Sequence, residues 1–292
     1  MISLYLLLTI KIHTMKKIIA AFDGFDYSTS TARYAIQLCK ECNAHLVGVF
    51  LDDVTYHSYK LSEITGNGGI RTEKWDMLEA GDKEKREEAA SNFEHACQQA
   101  KIEYSIHHNK YVAIHELLHE SIYADLLIVN KTESFSAYDE KTPTFFMHEL
   151  LSNVQCPVLV TPLTYNPIEK IVLLYDGSPA SVFAIQSFSS LFSSLKRLPV
   201  EVLTVKNHKH NLHLPDNKLM KEFMKRHFPE AKYMITSGNA DDQILAYLLK
   251  QHENTLLVLG AYQRSKMSRW FKASTADTLM ENSSVPLFIA HK

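Results

Sequence analysis

The sequence predicts an α/β fold: two doubly wound, five-stranded, mostly parallel sheets, following one another along the chain. An internal repeat is the first observation behind this. Lys16-Lys17-Ile18-Ile19-Ala20-Ala21-Phe22-Asp23-Gly24 is echoed by Glu169-Lys170-Ile171-Val172-Leu173-Leu174-Tyr175-Asp176-Gly177. Ala124–Val129 is answered by Asn254–Leu259, and Cys156-Pro157-Val158-Leu159-Val160 by Val285-Pro286-Leu287-Phe288-Ile289. The second observation is the character of these runs, which are short and apolar, as strands buried on both faces of a parallel sheet must be. The third is that strand and helix patterns alternate between the anchors with short connections, which puts helices on both faces of each sheet. Each half is expected to have strand order 3-2-1-4-5. The two sheets are expected to be separate, so a single continuous sheet would contradict this reading.

Along the chain, residues 1–14 stand apart. Ile2 to Ile10 is apolar but too short to span a bilayer. It has neither a basic n-region nor a small-residue cleavage site, so it does not read as a signal peptide. Met15-Lys16-Lys17-Ile18-Ile19 reads as a natural beginning, which makes residues 1–14 an upstream extension or a loosely packed arm. A first domain over 15–163 carries strands near 16–22, 44–51, 103–107, 125–129 and 157–161. Its helices are read near 27–42, 83–100, 112–122 and 143–153. An extra stretch, 52–81, lies between its second strand and second helix. Gly66-Asn67-Gly68-Gly69 within it reads as a flexible turn, because it lacks the strand-to-helix context of a phosphate loop. After a joint near Leu163 to Pro167, a second domain over 168–292 carries strands near 169–175, 200–205, 231–236, 255–260 and 286–290. Helices are read there near 179–195, 216–228, 240–251 and 274–283.

Composition narrows the function. A chain of 292 residues with 46% hydrophobic content can bury two ordinary cores. A net charge of −2 and a pI near 6.7 argue against nucleic acid or an anionic membrane as partner. Four cysteines, all before Pro157, make no disulfide framework and suit a reduced cytoplasm.

The candidate ligand site is the stretch from Leu256 to Ile289. Leu256-Leu257-Val258-Leu259-Gly260 is a strand, and Ala261 to Lys272 is a polar loop with Arg264, Lys266, Arg269 and Lys272. Ser274 or Thr275, ahead of Ala276, Leu279 and Met280, is an N-cap signal. A strand, loop and helix N-terminus in that order present N–H groups and a positive dipole end to an anion. The spacing also resembles the nucleotide motif of universal stress proteins that bind ATP: glycine, two residues, glycine, nine residues, then glycine followed by serine or threonine. Gly260, Arg264, Ser274 and Thr275 match in type, whereas Gln263 and Ala273 replace two glycines. With Asp23-Gly24, Asp176-Gly177-Ser178 and the two Pro-led final strands, the resemblance covers nearly all of 15–292. It is to a tandem member of that family, with a fold like that of the adenine nucleotide alpha hydrolases.

The resemblance implies that the two domains pack about a pseudo-twofold axis by their last strands. A homodimer and further protein partners, which the sequence does not identify, stay open. It further implies ATP or a related nucleotide, weakly held, in the second half. Asp176 and Gly177 would lie near adenine or ribose, and Val205 would meet the base with backbone groups. Gly260 and Gln263 would lie beside the phosphates, with Arg264 supplying charge and Ser274 and Thr275 meeting the terminal phosphates. Asp176 has an equal structural reading, as a cap for the next helix or a hold on the turn at Gly177; for Asp23 the structural reading is preferred. In the first half, Asn130 to Thr142 has no glycine and carries Glu133, Asp139 and Glu140, which would repel phosphates. No nucleotide is expected there.

Other constellations are weaker. Cys39-Lys40-Glu41-Cys42 falls late in a helical pattern, where no thiolate is activated and no second pair completes a zinc site. His115 and His119 form H-E-x-x-x-H, one residue too long for the metalloprotease pattern. His208, His210 and His213 read as a solvated loop, and Ser178 has no nucleophile-elbow context. No metal and no enzymatic activity are expected. Two functions remain: a nucleotide-responsive stress protein, or a scaffold that binds no nucleotide and works through its surfaces.

Overall fold

The computed structural model describes residues 16–25, 27–51, 65–66, 69–70, 72–109, 112–135, 140–206, 213–250, 254–260 and 275–290. The first half runs β1 (Lys17–Phe22), α1 (Thr29–Cys42), β2 (His45–Leu51), a short antiparallel pair of β3 (Thr65–Gly66) and β4 (Gly69–Ile70), then α2 (Thr72–Ala100), β5 (Tyr104–Asn109), α3 (Ala113–Ser121), β6 (Leu126–Asn130), α4 (Phe145–Asn153) and β7 (Val158–Thr161). The second half runs β8 (Lys170–Leu174), α5 (Pro179–Leu191), a 3-10 turn (Ser193–Arg197), β9 (Val200–Lys206), α6 (Asn217–His227), β10 (Lys232–Ser237), α7 (Ala240–Leu248), β11 (Thr255–Gly260), α8 (Thr275–Asn282) and β12 (Leu287–Ala290).

The large sheet has the order β10-β9-β8-β11-β12-β7-β6-β1-β2-β5, so each half keeps the expected 3-2-1-4-5 order with parallel neighbours. The expectation of two separate sheets is overturned. β12 pairs antiparallel with β7, in the register Leu287–Val160, Phe288–Leu159 and Ile289–Val158, and this pairing makes the ten strands continuous. The reason lies in the last strand of each half. Val158, Leu159 and Val160 are at most 1% exposed, like Leu287, Phe288 and Ile289. An apolar edge strand left open would present unpaired backbone groups beside a greasy surface. Pairing the two edges satisfies both.

Side chains alternate along each strand, so the sheet has two core faces. Ile18, Ala20 and Phe22 face one layer with Ile171, Phe188, Phe192 and Phe288, whereas Ile19 and Ala21 face the other with Leu127, Leu257, Leu279 and Met280. Both layers run through both halves. Phe288 packs edge-on against Phe188 and Phe192, with ring centroids 5.2 and 6.2 Å apart.

Two helices differ from expectation. The helix expected over 83–100 begins at Thr72, inside the stretch read as an insertion. Its first turns, including Glu73, Lys74, Trp75 and Asp76, are exposed and carry no apolar stripe, so periodicity says nothing there. The helix expected over 179–195 stops at Leu191, because buried Phe192 leaves helical backbone geometry (φ −119°, ψ 60°) and a 3-10 turn follows. Helix starts follow the caps: Ser28, Thr144, Ser178 and Asn239 each accept a first-turn N–H.

A polar clamp recurs in the two halves with its carboxylate moved. Lys17 Nζ lies 3.0 Å from Glu120 of α3, whose other oxygen is 2.7 Å from His107 Nδ1. At the equivalent place Lys170 Nζ lies 2.7 Å from Glu201 of β9 and donates to the Tyr247 hydroxyl of α7, which in turn donates to Glu201 at 2.8 Å. Burial is the largest single influence on the Glu201 carboxyl and pushes its pKa up. The hydrogen bonds and charge of Lys170 and the Tyr247 hydroxyl outweigh burial, and the net shift is down.

A depressed carboxyl contributes stability above its unfolded pKa and loses it as pH falls through the folded value. Glu201→Gln is therefore expected to cost about 1.5–3 kcal/mol at pH 7 in urea unfolding. Its penalty should shrink as pH is lowered below about 4.5. A penalty that stays constant with pH would show that Glu201 acts by shape alone.

Candidate functional site

In a 3-2-1-4-5 sheet the strand order reverses between the first and fourth strands, and open α/β sheets form a crevice beyond their carboxyl ends there. In the second half that place is between β8 and β11. A cleft of about 230 Å³ opens there. Leu174, Tyr175 and Asp176 line it from the end of β8, Leu203 and Val205 from β9, and Leu259 and Gly260 from β11. The helices contribute Ser181 from α5, Ala240 and Ile244 from α7, and Thr275 and Ala276 from α8. Three helices thus bring their first turns to an apolar floor, with a partial positive charge at each N-terminus.

Asp176 is exposed at the mouth, and its Oδ1 accepts the Ser178 N–H at 2.8 Å. Burial is the largest influence on its carboxyl and raises the pKa, but hydrogen bonds from Ser178 and Ser181 hold it, on balance, below the usual carboxylate range. The group is an anion at neutral pH that retains free acceptor capacity toward solvent. Asp176 thus holds the turn and lines the cleft. Gly177 closes that turn at φ +88°, and a Cβ there would come within 2.6 Å of Pro215 Cβ. Burial, then the charges of Asp216 and Asp176, pushes the Tyr175 phenol up. It stays neutral and donates to the Pro215 carbonyl at 3.0 Å, which fixes the rim.

Gly260 is required by close approach. A Cβ on it would meet the Ala180 carbonyl carbon at 2.3 Å and the Ser181 nitrogen at 2.7 Å, so the N-terminus of α5 lies directly on the end of β11. In the first half Asn130 ends the equivalent strand, and the turn after Asp23 is longer by Phe25-Asp26-Tyr27. The Asn130 side chain reaches the start of α1. Its Nδ2 donates to the Ser28 hydroxyl at 2.8 Å, and its Oδ1 accepts the Thr132 N–H and hydroxyl. Thr31 and Thr161, 2.8 Å apart, complete a buried polar plug. Asp23 is 8% exposed and accepts the Phe25 N–H.

Of the residues singled out in the sequence, Asp176, Val205, Gly260 and Thr275 line one cleft, and Gly177 supports it from behind. Gln263, Arg264 and Ser274 lie outside the described residues, as do His208 and His210. Leu259 and Ala276 fall within the stretch expected to form the site, whereas Leu174, Tyr175, Ser181, Leu203, Ala240 and Ile244 were not anticipated as site residues. The capping signal at Asn239, whose Oδ1 accepts the Asp242 N–H, was the available clue to α7. Cys39 is buried and Cys42 half-buried, with the Cys42 thiol donating to the Leu38 carbonyl; burial raises both thiols. No group of three His, Cys, Asp or Glu among the described residues is arranged to hold a metal.

The close approach at Gly260 gives a test. Gly260→Ala should destabilise the protein by about 1–3 kcal/mol through overpacking against α5, measured by urea unfolding. Asn130→Gly should cost about 1–3 kcal/mol by the same measurement, because the Ser28 and Thr132 groups lose their partner.

No family model matches the chain. A curated universal stress protein of Synechocystis is 22% identical over 287 residues, covering 94% of this chain and 99% of the relative. Among solved structures, a universal stress protein from Archaeoglobus fulgidus superposes with a TM-score of 0.69 at 14% identity, over 95% of this chain and 96% of that one. A functionally unknown protein from Pseudomonas aeruginosa superposes with a TM-score of 0.59 at 13% identity, over 96% and 93%. The two structures share the fold, and the sequence match runs over nearly the whole of both chains. With the 3-2-1-4-5 order repeated in its two halves, the chain is similar to universal stress proteins over nearly its whole length, in sequence and in fold.

Proposed function

We propose that this protein serves in a stress response and binds ATP or a related adenine nucleotide weakly, in the second half only. The observation that carries the reading is the convergence of Asp176, Val205, Gly260 and Thr275 on one cleft at the sheet's switch point, while Asn130 plugs the equivalent place in the first half. The cleft is small beside the ~300–1,000 Å³ of typical ligand sites, so it suits a nucleoside whose phosphates lie out towards the loop after Gly260. Asp176 would accept from ribose or base, and Val205 would offer backbone groups to the base. Gly260 and Gln263 would sit beside the phosphates, Arg264 would supply charge, and Ser274 and Thr275 would open α8 towards them. The proposed role is one of binding, without a metal and without catalysis. The free thiols among the described residues support a cytoplasmic setting. No helix among the described residues is long and apolar enough to cross a membrane.

Gln263 and Ala273 favour a second reading, a scaffold acting through protein contacts, possible partners including a second copy of the chain. They place side chains where the family's motif has glycine, which alone lets backbone approach phosphates closely. Two lost backbone contacts at about 1–1.5 kcal/mol each would weaken binding by roughly one to two orders of magnitude. Calorimetry with ATP separates the readings. Wild-type protein should bind weakly, Asp176→Ala and Arg264→Ala should bind more weakly, and Gln263→Gly should bind more tightly. Absence of ATP binding in both wild type and Gln263→Gly would leave the scaffold reading standing. Binding indifferent to Asp176 and Arg264 would show the site is elsewhere.

A further inference from the structure

Two of the helices that face the cleft, α5 and α8, end on carbonyls that are met by the other half of the chain. The last carbonyls of any helix have no partner within it. At the end of α5, Lys16 Nζ donates to the Ser190 carbonyl at 3.2 Å and to the Leu191 carbonyl. At the end of α8, Lys131 Nζ donates to the Met280 carbonyl at 3.0 Å and the Ser283 carbonyl at 2.9 Å. Lys16 directly precedes β1 and Lys131 directly follows β6, so both ammonium groups are anchored to central strands of the first half.

The arrangement runs one way. The repeat places Glu169 opposite Lys16 and Ala261 opposite Lys131, and neither side chain donates to a carbonyl. Glu169 instead accepts from Asn254 at 2.8 Å. The first half's own helices close by local means: Asn43, in left-handed geometry, ends α1, while Ser152 and Asn153 turn back onto carbonyls of α4. At these positions the first half therefore supplies cations to the second and receives none; elsewhere Arg197 of the second half pairs with the Glu41 side chain in the last turn of α1, not with its carbonyls. Each cation sits at the negative end of a helix whose positive end faces the cleft.

We propose that Lys16 and Lys131 are positioning residues for the second-half cleft, holding α5 and α8 from behind so that the first half sets the affinity of the second for its anionic ligand. This rests on the nucleotide reading above.

The test uses the full chain, with Lys16→Met, Lys131→Met, the pair together, and Lys→Arg at each position as the donor-retaining control. ATP affinity is read by calorimetry well below the melting temperature. Hydrogen exchange is followed without ligand over 178–184 and 275–281. Each Met variant should raise Kd about threefold and the pair about tenfold, within the usual range of coupling between sites. Exchange should quicken at both helix starts, and Arg should restore much of the loss. Should the double variant fail to fold, Lys131→Gln carries the same comparison. Unchanged Kd in the double variant overturns the proposal, as does faster exchange spread evenly over the second half, which marks a merely structural role. If wild-type protein binds no ATP, the nucleotide reading falls, and exchange decides the rest: quickening confined to the two helix starts upholds the positioning, and its absence overturns it.

Discussion

The antiparallel pair between β7 and β12 is the contact on which the rest of the molecule depends. Each half ends its sheet in an apolar strand with nothing of its own to pair with. Three residue pairs, Leu287–Val160, Phe288–Leu159 and Ile289–Val158, close both edges at once. Because side chains alternate across a strand, the pairing also merges the two layers of core, and Phe288, opposite Leu159 of the first half, packs into the aromatic cluster around Phe188 and Phe192. The halves are thereby joined through main-chain hydrogen bonds and buried area together, which is a stiffer union than a surface contact between folded domains.

On that common frame the halves have diverged by small steric steps. Asn130 hydrogen-bonds the Ser28 cap of α1 at the end of the strand equivalent to the one where Gly260 must stay bare under α5. The same replacement appears in the clamps, where the carboxylate partner of the strand lysine comes from α3 in one half and from β9 in the other. In the clamps the charge persists while its source moves. A buried polar group left unpaired costs more than a rearranged pair, so compensation of this kind preserves the fold.

Much of the fold was legible in the sequence. The repeated apolar runs ending at Asp23 and Asp176 mark equivalent strands, and their two-sided burial shows in the lack of polar alternation. The start of α2 was not legible, since Glu73, Lys74 and Asp76 lie on turns with no apolar face to set a period. The continuity of the sheet was not legible either. Val158-Leu159-Val160 looks the same whether its edge meets a helix, a loop or another strand.

For the cleft, local sequence determined the pieces that depend on backbone constraint: Gly177 at positive φ, Gly260 under a helix, the cap at Ser178 and the helix start at Thr275. These follow from conformations and turns that few residues can supply. Tertiary structure alone decided what stands opposite them. Ile244 and Ala240 reach the cleft because α7 packs over β9, and Lys16 and Lys131 reach α5 and α8 because the β7–β12 pair brings the halves together. A lysine's sequence neighbours specify its strand, but the carbonyl it caps lies more than a hundred residues away, and only the packed sheet brings the two within reach.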